Sequence, residues 1–133
     1  MIKLAGFLGK VVPRLPTIKL DSASVSRDPE AIEQYENDPL VYRGGIPART
    51  GATTNEAICF IQENLHRFSL PCYLANGSQD KIVDPTVSQV IHDRCSSPDK
   101  TVRVYNGLYH QILTEPEKEQ VMDDMLTWMG ARL

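Results

Sequence analysis

The alternation of apolar and polar positions changes character near residue 53. Before about residue 55 no helical or strand period persists, and Pro13, Pro16, Pro29, Pro39, Gly44, Gly45, Pro47 and Gly51 cut the pattern into short pieces. Such punctuation predicts short helices joined by loops. Ile2, Ala5, Leu8 and Val12 recur at helical spacing and predict a first short helix closed by Pro13. Ser26, ahead of Arg27-Asp28-Pro29-Glu30, is expected to cap a second, its hydroxyl accepting a free N–H of the first turn.

From Thr53 the signals become regular. Thr53-x-x-Glu56 reads as a capping box, with Ala57, Ile58, Ile61 and Leu65 at helical spacing and an end near Arg67. Residues 71–76 form a short apolar run that stops at Gly77-Ser78-Gln79-Asp80, as a buried parallel strand does. Asp84-Pro85 predicts the opening of a helix that turns Val87, Val90 and Ile91 inward. Residues 101–105 alternate as a strand ended by Asn106-Gly107, and a second capping box, Thr114-x-x-Glu117, predicts a last helix burying Val121, Met122, Met125 and Met129. Helix, strand, helix, strand, helix is the order of an α/β fold with a parallel sheet. Two strands leave edges and faces uncovered, so the pattern reads as part of a larger sheet.

Charge adds one feature. The 133 residues carry 14 Lys+Arg and 17 Asp+Glu, yet Lys3, Lys10, Arg14 and Lys19 make the first twenty residues +4 and leave −7 on the rest. The acidic balance, without a basic patch interleaved with aromatics, excludes nucleic acid as an expected partner. The longest continuous apolar run, residues 57–61, is far too short to cross a bilayer. Lys10 interrupts the apolar stretch at residues 4–9 and no Ala-x-Ala-like site follows, so the start reads as mature sequence rather than a signal peptide. Cys59, Cys72 and Cys95 are an odd set without regular spacing and read as reduced core thiols, pointing to a cytosolic compartment.

Reactive groups in open α/β sheets gather beyond the carboxyl ends of the strands. Asp80 follows the first predicted strand and His110 the second, 30 residues later. A carboxylate there can hold one imidazole N–H while the other ring nitrogen acts as general base. Asp80 also suits a tight turn and His110 a packed or surface position, and spacing alone leaves these readings open. Asp84 is better explained as a helix cap than as a catalyst. His66 and His92 lie in predicted helices with no acid or thiol at ligand spacing, which argues against zinc. No metal or organic cofactor is implied.

Residues 74–85, Leu-Ala-Asn-Gly-Ser-Gln-Asp-Lys-Ile-Val-Asp-Pro, and 105–117, Tyr-Asn-Gly-Leu-Tyr-His-Gln-Ile-Leu-Thr-Glu-Pro-Glu, closely resemble the carboxyl-terminal half of monoacylglycerol lipases and related lysophospholipases of the α/β-hydrolase fold. Residues 24–28 and 37–41 resemble the end of that family's cap. The resemblance implies a cap (lid) segment over residues 1–52, the carboxyl-terminal part of the hydrolase core over 53–133, and Asp80 and His110 as triad acid and base. It also implies a monoacylglycerol or lysophospholipid substrate. The family's Gly-x-Ser-x-Gly elbow is missing from the sequence. Gly77-Ser78 comes closest, in the same loop as Asp80, so the nucleophile is expected outside this chain. Residues 1–14 resemble a cap helix that touches membrane surfaces, a contact that basic and apolar groups favour, with a helix packed on its own protein as the other reading; a cytosolic chain is expected, peripheral to membranes on the first of these. On the hydrolase reading the partner is the missing amino-terminal half; the alternative is a non-catalytic module derived from a hydrolase that uses its apolar cap surface to bind lipid or another chain, including a second copy of itself.

Overall fold

A computed structural model describes residues 9–133. Most of the expected first helix, with Ile2, Ala5 and Leu8, lies outside them; its described end, residues 9–11, stops two residues before Pro13. Next come a 3-10 turn (Ser22–Ser24), helix α1 (Pro29–Asn37), helix α2 (Ala48–Asn64) running into a 3-10 turn (Leu65–Arg67), strand β1 (Cys72–Gly77), helix α3 (Val87–Arg94), strand β2 (Lys100–Tyr105) and helix α4 (Lys118–Gly130).

Helix starts differ from the sequence expectation for identifiable reasons. The cap of α1 is Asp28, not Ser26: Pro29 occupies the first helical position, so the capping side chain is the one just before it, and the Asp28 carboxylate accepts from Glu30 N at 2.9 Å. Helix α2 begins at Ala48 rather than Thr53. Its first free amides are taken by main chain, Ala48 N by Leu15 O at 2.8 Å and Arg49 N by Pro13 O at 3.0 Å, so no side-chain cap is needed and Thr53 lies inside the helix. Residues 52 and 53 are thus consecutive within one helix. Asp84 closes a turn one residue ahead of α3 by accepting from Thr86 N and Oγ1, and the buried residue of α3 is Ser88, with Val90 exposed. Helix α4 begins at Lys118, because Thr114 bonds back to Gln111 O instead of capping. Val121 is fully buried there, Met125 is partly buried, and Met122 and Met129 are exposed.

The two strands are parallel and in register from Cys72 opposite Lys100 to Gly77 opposite Tyr105, so both end at the same level. Alternation sends their side chains to opposite faces. On one face lies α3, with Asn76 Nδ2 donating to Pro85 O and Lys100 Nζ donating to His92 O and Cys95 O at the helix end. On the other lies α4, where Trp128 packs beside Tyr73 (ring centroids 5.8 Å apart) and donates its indole N–H to Thr101. Tyr105, Leu108 and Val121 form the core of that face, with Ala75, Ile112 and Met125 against them. Burial and hydrogen bonds to Tyr73 and Asp124 hold the Tyr105 phenol well above its ordinary pKa. The apolar positions Ile58, Phe60 and Ile61 of α2 are exposed. Among the described residues no helix is long and apolar enough to cross a membrane.

At the end of β1 the chain depends on one glycine. A Cβ on Gly77 would stand 2.2 Å from Leu108 O and 2.4 Å from Tyr109 O, so the loop after β2 lies directly on the strand terminus. Gly77→Ala is expected to destabilise the chain by about 1–3 kcal/mol, since backbone rather than a flexible side-chain tip must move. The check is a thermal or denaturant melt paired with amide shifts, which should change most at residues 106–110.

Candidate active site

The loops that follow β1 and β2 are laced to each other. Ser78 N donates to Tyr105 O at 2.9 Å and Gln79 N to Leu108 O at 3.0 Å, while Gly107 N donates to Ser78 Oγ at 2.9 Å. Gly107 has φ of +82°, a left-handed conformation glycine adopts freely, which lets the chain turn back over β1. Lys81 adds an outer tie, its ammonium 4.7 Å from the centre of the Tyr109 ring.

These loops bring Asp80 and His110 together: His110 Nδ1 lies 2.9 Å from Asp80 Oδ2. The two carboxylate oxygens have separate partners. Asp80 Oδ1 accepts from Ile82 N at 2.8 Å and Val83 N at 3.0 Å, which fixes the group, and Oδ2 remains for the imidazole. The Asp80 side chain is only 5% exposed, whereas that of His110 is 37% exposed. Burial pushes the Asp80 pKa upward, but the Val83 amide, His110 and the Ile82 amide together outweigh it and hold the carboxyl below its ordinary value. An ionised carboxylate can only accept, so the contact places an imidazole proton on Nδ1; in the neutral ring Nε2 then carries the lone pair. That arrangement can accept a proton from an alcohol and return it to a leaving group.

The other sequence candidates lie apart from this pair. Ser78 uses its hydroxyl to tie the two loops, reaching Asn106 Oδ1 at 3.4 Å and receiving Gly107 N. Asp84 closes its turn with Thr86, His92 stands beside Asp93 at 2.9 Å, and His66 lies in the 3-10 turn after α2. Among the described residues no three His, Cys, Asp or Glu side chains cluster as metal ligands, and all three cysteines are free.

Periodicity and capping signals did not single out a second polar group behind His110. Glu115 is 0% exposed; its Oε1 accepts from Tyr109 N at 2.9 Å and Arg27 N at 3.1 Å, and its Oε2 from Arg27 Nε at 2.7 Å. Arg27 also pairs with Glu117. The hydrogen bond to Glu115, despite some loss from burial, raises the Arg27 pKa further above its already high value. Both partners lie in stretches that carry the family resemblance, Arg27 in 24–28 and Glu115 in 105–117, but nothing in the sequence pairs them.

The family described as serine aminopeptidase, S33, matches residues 1–117. A monoacylglycerol lipase of Mycolicibacterium smegmatis is 32% identical over 133 residues, covering 100% of this chain and 48% of that protein. The monoglyceride lipase of Mus musculus is 30% identical over 131 residues, covering 97% of this chain and 43% of its own. The crystal structure of Paleococcus ferrophilus monoacylglycerol lipase superposes with a TM-score of 0.89 at 28% identity, covering 100% of this chain and 52% of that one. The chain therefore spans about half the length of the curated relatives it matches.

The depressed Asp80 pKa has a sign that can be measured. A group whose folded pKa lies below its unfolded value of about 3.9 stabilises the fold above that value and loses this contribution as pH falls through the folded pKa. The stability advantage of the wild-type chain over Asp80→Asn should hold steady above about pH 5 and shrink as the solution is acidified below about pH 4. Denaturant midpoints for both chains across that window provide the check; a gap that widens in acid would contradict the assignment.

Proposed function

Because the chain belongs to the serine aminopeptidase, S33, family and its fold matches about half of the α/β-hydrolase fold of its monoacylglycerol lipase relatives, we propose that Asp80 and His110 are the acid and base of a catalytic triad. The bond hydrolysed is the carboxylic ester in a monoacylglycerol or lysophospholipid. The observation that carries this reading is the 2.9 Å contact of His110 Nδ1 with a buried Asp80 carboxylate at neighbouring parallel strand ends. The nucleophilic serine is supplied from outside this chain. His110 Nε2 takes the serine proton as the oxygen attacks the ester carbonyl, and the imidazolium formed is stabilised by Asp80. His110 then protonates the departing alcohol, leaving an acyl-enzyme that a water, deprotonated by the same nitrogen, hydrolyses.

In this reading residues 1–52 belong to the cap over the acyl pocket and residues 53–133 to the core. Residues 1–14, with Lys3, Lys10 and Arg14, contact an anionic membrane surface, each basic group contributing about 1 kcal/mol. A second reading, a non-catalytic module covered by another chain, draws on the exposed Ile58, Phe60 and Ile61 of α2.

Without a nucleophile elbow and its oxyanion donors, each worth on the order of 3 kcal/mol, the 133-residue chain by itself should hydrolyse no short-chain aryl ester. Turnover that survives serine-directed inhibitors and vanishes in His110→Ala would overturn the assignment of an external serine. When an amino-terminal fragment carrying Gly-x-Ser-x-Gly is supplied, hydrolysis should appear, and Asp80→Asn should lower its kcat by about four orders of magnitude. Cosedimentation with anionic vesicles should fall as salt is raised, and salt-independent binding would exclude the basic segment as its source. A closed, well-folded monomer by sedimentation would count against the module reading.

A further inference from the structure

Glu115 is a fully buried acidic side chain that the triad chemistry does not use. We infer that Glu115, paired with Arg27, is a positioning residue that fixes the aim of His110. This rests on the reading of His110 as the base.

His110 sits on a stretch without regular secondary structure, between the end of β2 and the start of α4. Its contact with Asp80 constrains one ring nitrogen, but the direction of the other depends on the backbone beneath it. That backbone is held on both sides of the histidine. The preceding residue donates Tyr109 N to Glu115 Oε1 at 2.9 Å, and the following one donates Gln111 N to Val25 O at 2.7 Å. Both anchors converge on residues 25–27, because Arg27 binds Glu115 through its main-chain N and its Nε, and Ser26 Oγ donates to Thr114 O at 3.0 Å.

A carboxylate does here what an apolar side chain of equal size could not. Fully removed from water, it requires several donors, and it finds three: two main-chain amides and a guanidinium N–H. Satisfying all three allows one placement of the Tyr109 peptide relative to residue 27. The segment carrying Arg27 thereby becomes the floor on which the histidine loop is set, and displacement of residues 25–27 is transmitted to His110.

The test reads the histidine directly in the 133-residue chain, with no need for turnover. The ring Nδ1 proton of His110, bound to Asp80, is followed by NMR in ¹⁵N-histidine-labelled protein, with the Trp128 indole proton as a reporter of the β2–α4 packing. Glu115→Gln keeps an oxygen for Tyr109 N but removes the charge opposite Arg27. It should leave the Trp128 signal in place while the His110 proton exchanges with water about tenfold faster. Arg27→Leu combined with Glu115→Leu removes both charges without stranding either and should abolish the His110 signal while Trp128 persists. Wild-type exchange in both variants overturns the inference. Should the double variant fail to fold, Glu115→Gln decides alone, and unchanged exchange there is equally fatal. Absence of the Nδ1 signal in the wild-type chain would instead remove the Asp80–His110 pairing, and with it both readings.

Discussion

Two parallel strands end at the same level, and the loop leaving one is pressed against the last residue of the other. Gly77 makes this possible, because any side chain there would occupy the space of Leu108 O and Tyr109 O. From that contact follow the amide ties between residues 77–79 and 105–108, and from those ties the approach of Asp80 to His110. Sheet register, backbone turn and side-chain pair form one chain of dependence. A one-residue slip of β1 against β2 would invert its faces and carry Gly77 out of the contact.

The site contains two carboxylates removed from water, and the protein handles them in different ways. Asp80 combines local amides from its own loop with a titratable partner, which leaves one oxygen committed to the imidazole. Glu115 combines amides from two distant segments with a permanently charged guanidinium, which leaves neither oxygen free. The first arrangement suits a group whose partner gains and loses a proton; the second suits a fixed support.

Much of the architecture was legible because it rests on periodic signals. The apolar run at 71–76, the alternation at 101–105 and the turn residues that end each of them gave the strand–loop order, and hence the adjacency of Asp80 and His110. Helix starts were less legible, since they depend on which group meets the first free amides. Leu15 and Pro13 carbonyls supply α2 from more than thirty residues away, a partnership that no local motif encodes. The inward faces of α3 and α4 were legible only in part: Val121 and Met125 turn inward as expected, but Ser88 is buried where Val90 is not, and Met122 and Met129 face outward. Periodicity marks an apolar stripe but not which part of it the described residues cover. Glu115 was hidden because burial of a charge is set by a tertiary partner, Arg27, 88 residues earlier in the sequence.

The spans of these contacts differ greatly. Asp80 and His110 are separated by 30 residues, Arg27 and Glu115 by 88. The entropy lost on closing a loop grows, slowly, with the chain it encloses, so the contact of larger separation carries the larger closure cost. The acid–imidazole pair can thus assemble within the strand–helix–strand unit, whereas its backing arrives only when residues 25–27 dock on the far loop. Docking of residues 25–27 therefore closes the longer of the two loops, over a segment in which the Asp80–His110 contact is already within reach.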